Sequence, residues 1–94
     1  MAKSILQTEK ACYLCGSMSW LEEHHIYGGA LRKKSEREGF KVWLCHYCHN
    51  EPPFGVHHCE ERNKALKAEC QAKYEETHSR EEWFALIGKN FREV

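Results

Sequence analysis

Two Cys-x-x-Cys pairs, Cys12-Tyr13-Leu14-Cys15 and Cys45-His46-Tyr47-Cys48, stand 29 residues apart. A two-residue gap lets both thiolates of a turn reach one tetrahedral zinc, and two such pairs complete its shell. Gly16 follows the first pair and can take the positive φ that closes a knuckle. Cys12, Cys15, Cys45 and Cys48 are therefore expected to hold a structural Zn2+. A shell that recruits a histidine such as His46 is the alternative, with redox or disulfide chemistry behind it. Cys70 has Leu66 and Tyr74 four residues to either side, which is core spacing on a helix. Cys59 takes no role.

Seven histidines in 94 residues is a surplus, and five of them cluster: His24-His25, His49 and His57-His58. Neighbouring side chains on a strand face opposite ways, so His24 and His25 cannot serve one partner in the same manner. One can hold a metal while the other addresses a substrate. A neutral imidazole, with an ordinary pKa of about 6.5, can deprotonate water near neutral pH. A divalent ion with open positions can stabilise the charge that grows on a phosphodiester. The pattern reads as a structural ion beside a catalytic one.

These residues need elements to position them. Trp20 to Tyr27 reads as a strand ended by Gly28-Gly29, and Phe40 to Leu44 alternates into a second strand that delivers Cys45. Between them, residues 30–39 form a charged excursion, as a short helix or an ordered loop. Pro52, Pro53 and Gly55 stop any long helix from Cys48. A helix over about 57–76 puts Leu66, Cys70 and Tyr74 on one face. Ser79-Arg80-Glu81-Glu82 is a capping box, so a last helix starts at Arg80, buries Trp83, Phe84 and Ile87, and stops at Gly88. The fold class is α+β. One domain spans 1–94, with a flexible start at 1–11, zinc knuckles and metal core at 12–58, and a helical part at 59–94.

Composition bounds the rest. Basic and acidic residues number 14 each, for a formal net charge of zero. That argues against coating nucleic acid by bulk charge but leaves room for a local patch. Residues 1–50 carry seven basic and five acidic groups, a balance of +2; residues 51–94 carry seven and nine, a balance of −2. Arg32, Lys33, Lys34, Arg37 and Lys41 form the densest basic stretch, either a solvated surface or a phosphate-binding edge. Four thiolates on one Zn2+ add a further −2 locally. No run approaches the roughly 18–20 apolar residues of a membrane span, and a secretory apolar core is lacking, so a cytoplasmic protein without a membrane partner is expected.

Glu23-His24-His25-Ile26, then Leu44-Cys45-x-x-Cys48-His49, with the leading Cys12-x-x-Cys15, resembles the HNH (His-Me finger) endonucleases with a zinc-knuckle support. The likeness is closer to small phage-type HNH proteins, through Gly28-Gly29, Arg32-Lys33-Lys34-Ser35-Glu36, Gly39-Phe40-Lys41-Val42 and Gly55-Val56-His57, and covers roughly residues 12–58. It implies a ββα-metal core and a DNA phosphodiester substrate. It assigns His25 as general base, His24 and His49 as ligands of the catalytic ion, and His57 as the last ligand, with His58 as its alternate. Mg2+ or Mn2+ is the implied ion. The middle asparagine of the family pattern falls on Phe40, so another group holds the loop that carries the base, or catalysis is weak or absent. The leading expectation is a DNA endonuclease, as a monomer or a homodimer through Trp83-Phe84. Its rivals are a DNA-binding protein that keeps the zinc but not the chemistry, and a zinc-stabilised protein-interaction module.

Overall fold

The computed structural model describes residues 3–92. Strand β1 (Leu21–His25) pairs antiparallel with β2 (Lys41–Cys45), Leu21 opposite Cys45 and His25 opposite Lys41. Cross-strand partners share a face. Leu21, Glu23 and His25 therefore lie with Lys41, Trp43 and Cys45, while Glu22 and His24 lie with Val42 and Leu44 on the other face. The charged excursion between the strands is helical: a 3-10 turn at Gly29–Leu31 runs into α1 (Arg32–Glu38).

α2 (His46–Asn50) begins directly after β2 and stops before Pro52 and Pro53. α3 (Glu60–Tyr74) starts three residues later than the sequence suggests, because Gly55 to His58 fold back on α2. α4 (Arg80–Leu86) has the expected capping box: Ser79 accepts from the Glu82 N–H, and the Glu82 side chain reaches the Ser79 N–H. Such a cap contributes about 1 kcal/mol.

One hydrophobic cluster joins the hairpin to the helices. Trp83 and Phe40 are fully buried, and Tyr27, Tyr74 and Phe91 pack around them with ring centroids 5.2–5.7 Å apart. The polar ends are satisfied: the Tyr27 hydroxyl donates to Lys67 O at 2.6 Å and the Trp83 indole to Lys89 O at 2.9 Å. Truncating Trp83 to Ala would cost about 3–5 kcal/mol. Leu66 and Cys70 join this core as the helical spacing suggests.

Two expectations are corrected. Phe84, expected in the core, is exposed, because α4 turns its Trp83 side to the core. The segment expected to be loose is tied down between residues 4 and 13. Ile5 N–H donates to Gly39 O, and Gln7 accepts from Trp43 N–H and donates to Ala11 O. Tyr13 N–H donates to Trp43 O, so this segment covers the outer edge of β2. No helix among the described residues is long and apolar enough to cross a membrane.

Candidate metal centres

The four cysteines of the two pairs come together, with all four Sγ atoms within 4.8 Å of one another. Cys15 and Cys45 Sγ are 3.6 Å apart. Sulfurs held about 2.3 Å from a tetrahedral zinc stand about 3.8 Å from each other, so the cluster has the size a Zn2+ shell needs. The first pair sits on a tight turn: Gly16 N–H donates to Cys12 O at 2.8 Å, and Gly16 has φ +81°, which favours glycine. The second pair straddles the end of β2 and the start of α2. Burial opposes ionisation of Cys12, but the backbone N–H groups of Cys45, Cys15 and Leu14 outweigh it and pull its thiol down to about 6. Burial pushes the Cys48 thiol up, so Cys12 is the sulfur of the cluster that ionises more readily of the two.

A second group lies on the α2 side of the hairpin. His24, His49 and His57 each offer a ring nitrogen within 4.8 Å of the other two. Their ring centroids are 4.6–5.1 Å apart, and His49 Nε2 and His57 Nε2 are separated by 2.9 Å. His24 forms the buried floor and His57 the exposed rim. Burial, reinforced by His49, His57, His25 and Lys67, holds the His24 pKa down at about 3, so its ring is neutral and keeps a lone pair. Its Nε2 is buried and has no hydrogen-bond partner. Such an orphan costs about 1–3 kcal/mol unless a ligand satisfies it.

His57 reaches the group by a backbone route. Gly55 N–H donates to Glu51 O, Val56 N–H to Cys48 O and His57 N–H to His49 O, which lays the loop over α2. A Cβ at Gly55 would lie 2.7–2.9 Å from backbone atoms of Asn50 and Glu51, so only glycine permits this approach. His58 instead donates its N–H to Gly55 O and stays outside the group.

Glu22 was not singled out from sequence, and it braces the trio. Its Oε1 lies 2.7 Å from His49 Nδ1 and its Oε2 lies 3.2 Å from His46 Nδ1. The bond from His49 holds the Glu22 carboxyl below the ordinary range, and the bond from His46 adds to it. An ionised carboxylate only accepts, so His49 carries its proton on Nδ1 and presents a bare Nε2. The strand period could have exposed it, since Glu22 shares the His24 face.

His25 lies on the opposite face and does not join the trio. Its Nε2 is 2.9 Å from Glu36 Oε2. Glu23, His25 and Glu36 form a third group of close ligand atoms, but Lys41 Nζ sits 2.8 Å from Glu36 and 3.4 Å from Glu23. The protein's own ammonium takes the cation's place there. Lys41 is accordingly buried and withdrawn from the basic edge. Lys34 donates to Leu86 O, leaving Arg32, Lys33 and Arg37 exposed. A cleft of about 450 Å3 lined by Lys3, Gln7, Glu23, Lys41 and Trp43 opens on this face, and none of His24, His49 and His57 lines it.

No protein-family model, curated protein or solved structure matches the chain. The geometry stands alone: an α+β fold with a two-stranded sheet, a four-cysteine cluster suited to zinc, and helices following, of a generic zinc-stapled ββα-metal kind. Three imidazoles with no carboxylate in the group fit a first-row transition ion such as Zn2+ or Ni2+ better than Mg2+ or Mn2+, which prefer oxygen.

Proposed function

We propose that the protein is a metal-dependent endonuclease that hydrolyses DNA phosphodiester bonds. His24, His49 and His57 would hold the ion; His25, on the other face of the hairpin but at the last position of β1, would act as the base for a substrate that crosses the strand end. The buried His24 ring, grouped with two further imidazoles and with its Nε2 unpartnered, carries this reading. Once bound, the ion would stabilise the charge that develops on the phosphodiester oxygens. The exposed His57 rim leaves that position open to a large substrate. His25 donates its Nε2–H to the Glu36 carboxylate, which leaves Nδ1 as the acceptor for a proton from water. Arg32, Lys33 and Arg37 would meet backbone phosphates beside it.

The loop after His25 is held without an asparagine. The fully buried Ser35 hydroxyl donates to Tyr27 O and accepts from Tyr27 N–H, two residues past the base. Phe40, at the asparagine's place in the resemblance, belongs to the aromatic core. That observation favours a second reading, a zinc-stapled DNA-binding protein without cleavage.

Supercoiled plasmid separates the two. With Zn2+ or Ni2+ the native protein should nick it, and both His25→Ala and His24→Ala should lose at least about 100-fold in rate. His24→Ala should also lose the second ion, whereas His25→Ala should keep it. Equal nicking by His25→Ala would remove the proposed base. Retention of plasmid without products by the native protein, at every ion tried, would leave the binding reading.

A further inference from the structure

The exposed apolar residues are not scattered. Of the six large ones among the described residues, Leu14, Met18, Trp20 and Tyr47 belong to the zinc knuckles or the loop that leaves the first, and Phe54 to the loop after α2. Trp20 is 73% exposed and Tyr47 65%. The His46 ring neighbours both, 5.9 Å from Trp20 and 6.4 Å from Tyr47 by ring centroid and tilted by 57° and 69°.

Trp20 also has φ +56°, and it is the one non-glycine with positive φ among the described residues. A bulky side chain seldom holds that conformation, and strain of this kind collects at working surfaces. His46 N–H donates to Trp20 O at 3.0 Å and helps to fix it there. A residue that is both strained and solvent-facing gains nothing for the core.

We propose that Trp20, His46 and Tyr47 form a stacking platform for unpaired bases of a single DNA strand leading to the imidazole trio. The proposal rests on the phosphodiester reading of that trio and adds the state of the substrate. Continuity supports it, because the one Glu22 carboxylate binds both His46 of the platform and His49 of the trio. The loop that carries His57 adds an exposed Phe54 with the Arg62 guanidinium 5.4 Å from its ring centre, an apolar face and a cation together. Base on ring and phosphate on cation is the chemistry of single-strand binding. Bases in a duplex are already stacked on each other and cannot use such rings.

The test uses the full zinc-loaded chain with no other divalent ion added, a fluorescent single-stranded oligothymidine, and a duplex of equal length, read by anisotropy. The native protein should prefer the single strand. Trp20→Ala and Tyr47→Ala should each weaken it by about five- to 100-fold, with duplex binding changed less than about twofold. Trp20→Phe should recover most of the loss. Trp20→Gly relieves the strain, so its Tm should equal or exceed the native value while single-strand binding falls. Unchanged single-strand binding in both alanine variants, or equal losses on the two DNAs, would overturn the platform. Plasmid nicking is read separately. Absence of nicking with ring-dependent single-strand binding counts against cleavage and supports the platform. Nicking together with ring-independent binding overturns the platform alone.

Discussion

Glu22 touches no proposed ion, yet its effect on one should be large. An imidazole with a free choice of tautomer spends part of its time with the proton on the nitrogen that must bind metal. The Glu22 carboxylate at 2.7 Å removes that choice for His49. Glu22→Gln keeps the shape and loses the charge. Affinity of the zinc-loaded protein for a second ion, titrated with Co2+ and followed by its visible absorption, should fall about 10- to 100-fold. The four-thiolate site should be untouched. An unchanged Co2+ affinity would mean that Glu22 only decorates the hairpin. His24→Ala should go further and abolish the second site, because it removes the buried donor itself.

At the scale of elements, α3, α4 and the tail after α4 meet at one carboxylate. Glu75 accepts from Gln71, Arg80 and Arg92 at 2.7–3.1 Å. Burial raises its pKa, but those three partners outweigh burial and bring it down to about 2, from an ordinary 4.5. A depressed carboxylate contributes stability that is whole above the unfolded value and disappears as pH falls through the folded one. The Glu75 contribution should therefore vanish between about pH 4.5 and 2. Zinc thiolates are protonated in acid too, so the measurement is the difference in urea stability between native protein and Glu75→Gln. That difference should shrink on acidification, and a constant gap would contradict the pairing. Only the Gln71 contact has a local spacing, four residues along α3; the charged partners were invisible in the sequence, since Arg92 is 17 residues away and Arg80 lies beyond the turn into α4. Local patterns were legible: both knuckles, the alternating strands and the Ser79–Glu82 capping box are each written within a few residues. Placement across elements was not. Lys41 looked like one more cation on a basic edge until cross-strand pairing set it beside His25 and Glu36. Phe84 passed for core on composition, although one turn of α4 has room to bury only Trp83.

Across the whole molecule the cysteine cluster and the imidazole group are unequal, because the first builds the second. The sheet has two strands of five residues, and α2 is five residues long. Pieces this short do not persist alone in water. The cysteines fasten the first turn to the end of β2 and the start of α2, and α2 is the segment that presents His49 and anchors the His57 loop. Losing the zinc should thus scatter the imidazoles. Losing the imidazole ion should leave the zinc and the fold in place. Cys48→Ser should abolish second-ion binding and collapse near-ultraviolet dichroism. His57→Ala should weaken second-ion binding yet keep one tightly held zinc and a native spectrum. With a chelator, release followed by a colorimetric zinc dye should be biphasic in protein loaded with two zinc ions. The first ion should leave without a change in dichroism and the second together with unfolding. Unfolding on the first release would reverse the order of dependence and make the histidine centre the structural one.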